Sequence, residues 1–276
     1  MILDCNSSEL NIEVCLLNGQ TFRFAKVETD EENPVIRGVA MDRVWQFQRI
    51  NDEQIEYQVL ARFDEAVESE DGDILRQYFQ LDVNLLDLYN EWSEKDTYFE
   101  TQLKANFKHL TGVRVLQQDC LETFFAFICS SNNNVDRIKS MVNGLAELYG
   151  DELDVELDGE MQTFYNFPTI DQLYENRKGM EDELKKQKFG YRAGWIVKAV
   201  EKLHGLGGRD YLEDLKTQSY DEASKELMTF TGIGKKVSDC ILLMALDHQN
   251  VVPIDTHVFR ISQNYLPKLP KEYGKM

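Results

Sequence analysis

Over the first 60 residues hydrophobic and polar positions alternate in short runs, at Asn11–Leu17, Thr21–Val27, Arg43–Arg49 and Ile55–Ala61. A period of two predicts β-strands. The intervening Asn18-Gly19 and Asn33-Pro34 pairs supply turn residues, so the strands are expected to pair antiparallel. The acidic stretch 64–73 reads as a linker or loop. From Ile74 the period lengthens to that of a helix, with Tyr78, Leu81, Leu85, Leu88 and Trp92 on related faces. Further helices are predicted over 122–130, 134–149, 169–176, 180–186, 193–206, 211–216, 220–230, 236–246 and 256–265. There is no internal repeat and no low-complexity tract. The expected architecture is α+β: an N-terminal antiparallel β domain with a few helices over residues 1–110, then a mostly α-helical body over 111–276.

Composition leaves this picture intact. With 276 residues, 42% hydrophobic and 29% charged, the chain can bury a sizeable core. No apolar run is long enough to cross a bilayer, so no membrane is expected as a partner. The start lacks the basic-then-apolar order of a secretory leader. The five cysteines, Cys5, Cys15, Cys120, Cys129 and Cys240, have no close metal-like spacing. They read as reduced thiols inside a cell, with no metal and no iron–sulfur centre among them.

Charge changes the picture more. The net charge of −19 argues against a polyanionic partner. The acid is unevenly placed, however. Residues 1–180 carry 15 basic and 35 acidic side chains, whereas 181–276 carry 15 and 14. Stretches 28–32, 64–73 and 151–160 hold much of the excess and read as solvated loops or exposed faces. The nearly neutral C-terminal third could therefore meet nucleic acid through directed N–H groups and a few Lys and Arg. Such binding should be modest and salt-sensitive.

The candidate chemistry lies in Thr231–His257: Thr-Gly-Ile-Gly-Lys-Lys-Val, an apolar helix, then Val-Pro-Ile-Asp-Thr-His. Gly232 and Gly234 stand between two helical patterns and permit positive φ or close backbone approach. The second helix would then aim its free N-terminal N–H groups at a phosphate oxygen. This is the logic of a helix-hairpin-helix, although the same residues also suit a plain αα connection. Lys236 sits where the positive helix end and the neighbouring Lys235 both disfavour its ammonium form. An uncharged lysine can attack carbon and form a Schiff base. Asp255, after Pro253 and before a helical run, reads as an N-cap.

These residues and several separate motifs resemble the eukaryotic-type 8-oxoguanine DNA glycosylases of the helix-hairpin-helix superfamily. The motifs are Asn18-Gly19-Gln20-Thr21-Phe22-Arg23, residues 75–83, residues 127–134, Gly190-Tyr191-Arg192-Ala193, and the hairpin through His257. The resemblance implies a bifunctional enzyme that excises 8-oxoguanine opposite cytosine in damaged double-stranded DNA and then nicks the abasic site. It needs no cofactor, and one hairpin-bearing body suffices as a monomer. DNA repair in a eukaryote implies the nucleus or the mitochondrion.

Residue by residue, the resemblance makes Lys236 the nucleophile and Asp255 the carboxylate that stabilises charge developing on the sugar. It assigns Asn132 to the space left by the extruded base and Tyr191 to wedging the stack, with Asn133 beside them. Arg137 and Arg192 look like the pair that reads the orphaned cytosine. Gly19 resembles the residue whose carbonyl senses the N7 proton of the oxidised base. Cys240 resembles the residue on one face of that base, Asp239 an acidic position near the pocket, and His257 a phosphate contact. Taken alone, Asn132–Asn134 read as a helix cap, Gly19 as a hairpin glycine, and the arginines as solvated surface groups.

Family members continue through further helices that supply an aromatic and a glutamine to the base pocket. Neither is expected here, because Pro267 and Pro270 interrupt the last residues before Met276. On that basis abasic-site lyase chemistry is expected to be better preserved than base excision. Two alternatives stay open: a damaged-DNA-binding module with weak catalysis, and a monofunctional glycosylase for alkylated bases.

Overall fold

The computed structural model describes residues 1–28, 33–63, 66–105 and 110–265. Its N-terminal part is a five-stranded antiparallel sheet in the order β1-β5-β4-β3-β2. The strands are β1 (Ile2–Asp4), β2 (Phe24–Val27), β3 (Val35–Ala40), β4 (Arg43–Asn51) and β5 (Gln54–Arg62). One face is covered by α1 (Ile12–Leu17) and α2 (Asp71–Tyr78), which pack with Phe24, Ile36, Trp45, Phe47 and Ile55 in one core. Helices α3 (Leu85–Lys95) and α4 (Thr97–Ala105) follow.

The second part is helical: α5 (Cys120–Ser130), α6 (Val135–Tyr149), α7 (Ile170–Glu175), α8 (Arg177–Lys186), α9 (Arg192–Leu206), α10 (Arg209–Asp214), α11 (Tyr220–Leu227), α12 (Lys235–Ala245) and α13 (Thr256–Tyr265). A hairpin of β6 (Glu152–Leu157) and β7 (Glu160–Tyr165) interrupts it. Helix α5 is apolar all round, and nine of its residues are buried, as expected for a helix enclosed by α6, α9, α10 and α12.

Three sequence expectations change. Residues 11–17 form α1 rather than a strand. The Asn11 side chain accepts from the Val14 amide as an N-cap, and Ile12, Cys15 and Leu16 share the buried stripe of a helix. The strand β3 was not predicted. Its Gly38 is required by the sheet, because a Cβ there would stand 2.5 Å from the Arg23 carbonyl and the Phe24 ring. The acidic stretch 151–160 is largely a strand: Glu152, Asp154 and Glu156 take its exposed side, while Leu153, Val155 and Leu157 are half-buried. Asp158 and Gly159, both at positive φ, make the turn.

The presumed linker at 64–73 is also structured where it is described, since 68–70 form a 3₁₀ turn and Asp71 opens α2. Asp71 is buried and lies 2.6 Å from Arg43, with Arg62 on its other oxygen. Burial works to raise its carboxyl, but the two arginines outweigh burial and hold it below the ordinary range.

The segment 111–118 fastens the two parts together. Gln117 donates its amide to the Tyr78 carbonyl and its side chain to Ala245, while the Gln118 amide donates to Met244. The end of α12 is thereby tied to the N-terminal core.

Candidate active site and nucleic-acid interface

Helix α11 starts in a capping box between Ser219 and Glu222 and ends at Leu227. The chain then turns through Gly232, at φ +94°, into α12. Gly232 has two constraints, because a Cβ at this position would also sit 2.5 Å from the Trp195 ring. Gly234 differs: its φ is −96° and a Cβ would meet nothing within 4 Å. It is the N-cap of α12, and no side chain caps that helix. The first turn of α12, exposed at Lys235 and half-buried at Lys236, therefore offers uncapped N–H groups.

Lys236 leans over the Phe127 ring of α5, its Nζ 5.3 Å from the centroid, and its charge acts on the Cys240 thiol one turn on. Cys240 is buried, and burial pushes its thiol up against the opposing pull of Lys236. Asp255 also acts on this thiol. Lys236 and Asp255, from different elements, are thus both within electrostatic reach of Cys240. Asp255 is the N-cap of α13, its Oδ1 accepting from the amides of His257 at 2.9 Å and Val258 at 2.7 Å. Those two bonds fix the orientation of the carboxylate.

Asp239 points elsewhere. Its Oδ1 accepts from the Tyr220 hydroxyl at 2.7 Å and pairs with Lys235 at 3.2 Å, against α11. The expected bare repulsion between Lys235 and Lys236 is therefore corrected, since Lys235 has its own counter-ion. The Asp239 carboxylate is thus engaged with α11, while its charge still reaches the Cys240 thiol.

A second cluster surrounds the turn between α5 and α6. Asn132 lies at φ +48°, exposed, and its amide makes no hydrogen bond among the described residues. Asn133 donates to the Cys129 carbonyl at 2.9 Å, and Asn134 caps α6 by accepting from the Arg137 amide. Capping thus accounts for Asn134 but leaves Asn132 free. Arg192 is not the solvated group its type suggests. It is 2% exposed and donates to the carbonyls of Ser131 and, at 2.9 Å, Asn132. Tyr191 is half-exposed, lies 4.7 Å from the Trp195 ring and donates its hydroxyl to Ser131 at 3.2 Å. Arg137 is exposed and donates to the Lys188 carbonyl at 2.8 Å.

Gly19 does not join two strands. It follows Asn18, the C-cap of α1, at φ +93°, and a Cβ there would touch Val135 at 3.4 Å. The turn after α1 therefore sits at the start of α6, next to the Asn132 loop. Gln118 holds it there by donating to the Gln20 carbonyl at 2.9 Å. The His257 side chain is exposed at the start of α13. The pocket aromatic and glutamine of the resemblance would follow Tyr265, outside the described residues.

Residues 2–124 match the family model described as 8-oxoguanine DNA glycosylase, N-terminal domain. The N-glycosylase/DNA lyase OGG1 of Arabidopsis thaliana is 34% identical over 284 residues, covering 99% of this chain and 73% of the plant protein. The N-glycosylase/DNA lyase of Saccharomyces cerevisiae is 31% identical over 296 residues, covering 99% and 75%. The chain belongs to the 8-oxoguanine DNA glycosylase family. A Clostridium acetobutylicum 8-oxoguanine glycosylase/lyase, solved with double-stranded DNA containing cytosine opposite 8-oxoG, is similar at a TM-score of 0.78 and 26% identity. The match covers 96% of this chain and 84% of that one.

Within this family frame, sequence reasoning missed the supports of the site. Phe127 lies under Lys236, and Trp195 fills the space that Gly232 leaves. Tyr220 anchors Lys235, and Ser131 joins the Asn132 loop to the hairpin. Only Trp195 carried a usable signal, standing one helical turn after Tyr191.

Proposed function

We propose that this chain is a bifunctional DNA glycosylase and abasic-site lyase, acting on 8-oxoguanine opposite cytosine through a Schiff base at Lys236. Lys236 and Asp255 lying within electrostatic reach of the same thiol, Cys240, beside the uncapped start of α12, carries the reading. A base inside a duplex cannot be reached, so the nucleotide must first be extruded. Gly232, Gly234 and the first N–H groups of α12 hold the phosphate backbone, with His257 as a further contact. Tyr191 and the free amide of Asn132 face the opened stack, and Arg137 and Arg192 flank the estranged cytosine.

The uncharged Lys236 amine attacks C1′ as the bond to the base nitrogen breaks, and the base leaves with the bonding pair and takes up a proton. Ionised Asp255 stabilises the positive charge that develops on the sugar. Opening of the ring gives the Schiff base. Loss of a C2′ proton then expels the 3′ phosphate by β-elimination, and water releases the lysine. Gly19 offers its carbonyl to the N7 proton that distinguishes 8-oxoguanine from guanine, a preference of roughly 1–3 kcal/mol. The protein acts as a monomer, and the nucleus is the proposed compartment, with the mitochondrion second.

Borohydride trapping on duplexes carrying 8-oxoguanine or an abasic site tests this reading. A covalent adduct that disappears in Lys236→Gln is expected. Release of base without any trappable adduct would overturn the Schiff-base route.

A further inference from the structure

The first two turns of α12 carry two stacked side-chain pairs on adjacent faces. Lys235 and Asp239 form one, and Lys236 and Cys240 the other. Successive residues of a helix point about 100° apart, so the two lysines leave the backbone in different directions. Lys235 turns to α11, where its Nζ meets the Tyr220 hydroxyl and lies 4.2 Å from that ring and 3.4 Å from the Ser224 hydroxyl. Lys236 turns to α5 and Phe127. Both lysines have a partner one turn on, but only Lys235 has a carboxylate.

We infer that Asp239 and Tyr220 are positioning residues that pin and neutralise Lys235, so that Lys236 alone presents an amine to the sugar and reacts with no unbalanced charge beside it. This rests on Lys236 being the nucleophile. Burial works against the Lys235 charge, but the Tyr220 hydrogen bond and the Asp239 carboxylate outweigh burial and hold its ammonium above the ordinary lysine range. The charge of Asp239 is also felt at Cys240, on which Lys236 acts, so the two pairs are electrostatically linked. The titratable groups around these lysines are Tyr220 from α11 and Asp239 and Cys240 on α12, with Asp255 before α13 acting on Cys240. His248 stands beyond Tyr220, 6.4 Å between ring centroids.

The clamp predicts shifts of opposite sign. Asp239→Asn leaves an unpaired cation beside Lys236, which favours the uncharged amine. Lys235→Gln leaves an unpaired carboxylate, which favours the charged form. The double variant removes both charges and restores the balance. The measurement is the borohydride-trapping rate on an abasic-site duplex between about pH 6 and 9, with the adduct mapped by peptide mass. The midpoint should move down by roughly half to one pH unit in Asp239→Asn and up by a similar amount in Lys235→Gln. It should return to within about 0.3 unit of wild type in the double variant. A general loss of packing cannot produce opposite shifts that cancel.

If both single variants move the midpoint the same way, or neither moves it, the clamp is overturned while Lys236 keeps its role. An adduct mapped to Lys235 in the wild type would overturn both. Should Asp239→Asn fail to fold, half-exposed Lys235→Gln decides alone: an upward shift sustains the clamp, and an unmoved midpoint refutes it.

Discussion

Ser131 donates its hydroxyl to the Gly232 carbonyl at 3.2 Å, so the loop carrying Asn132 and the hairpin that opens α12 share a hydrogen bond across 101 residues of chain. Arg192 holds the same loop from the other side. The parts proposed to open the stack and to grip the phosphates are therefore one mechanical unit.

Arg192→Ala should be costly, because it leaves the Ser131 and Asn132 carbonyls without a buried cationic donor. A loss of roughly 2–3 kcal/mol is expected in urea unfolding. Affinity for a duplex carrying a tetrahydrofuran site should fall in step. Unchanged stability would show that the loop is held without Arg192.

The two hairpin glycines should respond in different ways. Gly232→Ala meets both the positive φ and the Trp195 ring, and should lose about 2–3 kcal/mol of stability. Gly234→Ala has neither conflict and should unfold within about 0.5 kcal/mol of wild type. Its methyl nevertheless stands where a phosphate would approach, so DNA affinity should drop at least several-fold. A Gly234→Ala protein that binds DNA normally would argue against phosphate contact there.

Asn132→Gly separates conformation from chemistry. Glycine accepts φ +48° without the strain of a side chain, so stability should hold or rise slightly. The amide that faces the opened stack is lost, so base excision should fall by about tenfold or more. Excision at the wild-type rate would mean that Asn132 serves only the turn.

Glu122 of α5 is half-buried 3.6 Å from Arg23, and desolvation pushes its carboxyl up to about 7 against the opposing Arg23 charge. The ordinary value is 4.5, so in this interval the folded state holds more protons than the unfolded one. Stability from this group is therefore full below pH 4.5 and is lost as pH rises through about 7. Urea titrations from pH 5 to 8 should show a decline on the order of 2 kcal/mol. Glu122→Gln should flatten that slope, and a wild-type stability that rises over the interval would contradict the assignment.

Local signals carried much of the fold. The Asp255 cap and the helical period from Ile74 onward each act within one or two turns of chain, so they are readable in order along the sequence. Residues 11–17 show the limit of that reading. In so short a run, alternation and a helical stripe share most of their apolar positions, and the docked face of α1 decides between them. The hairpin motif with Lys236 and Asp255 was equally legible, because its glycines and cap are local requirements.

Long-range packing decided the rest. Arginine is a surface residue by type, yet Arg192 is enclosed because unpaired carbonyls of a loop sixty residues away need its donors. Nothing near Lys236 in sequence announces Phe127, and nothing near Asp239 announces that Tyr220 will draw it toward α11. The chain determined which groups could react and where its helices start. Tertiary structure determined which of those groups meet, because burial and partnership depend on surfaces brought together only by folding.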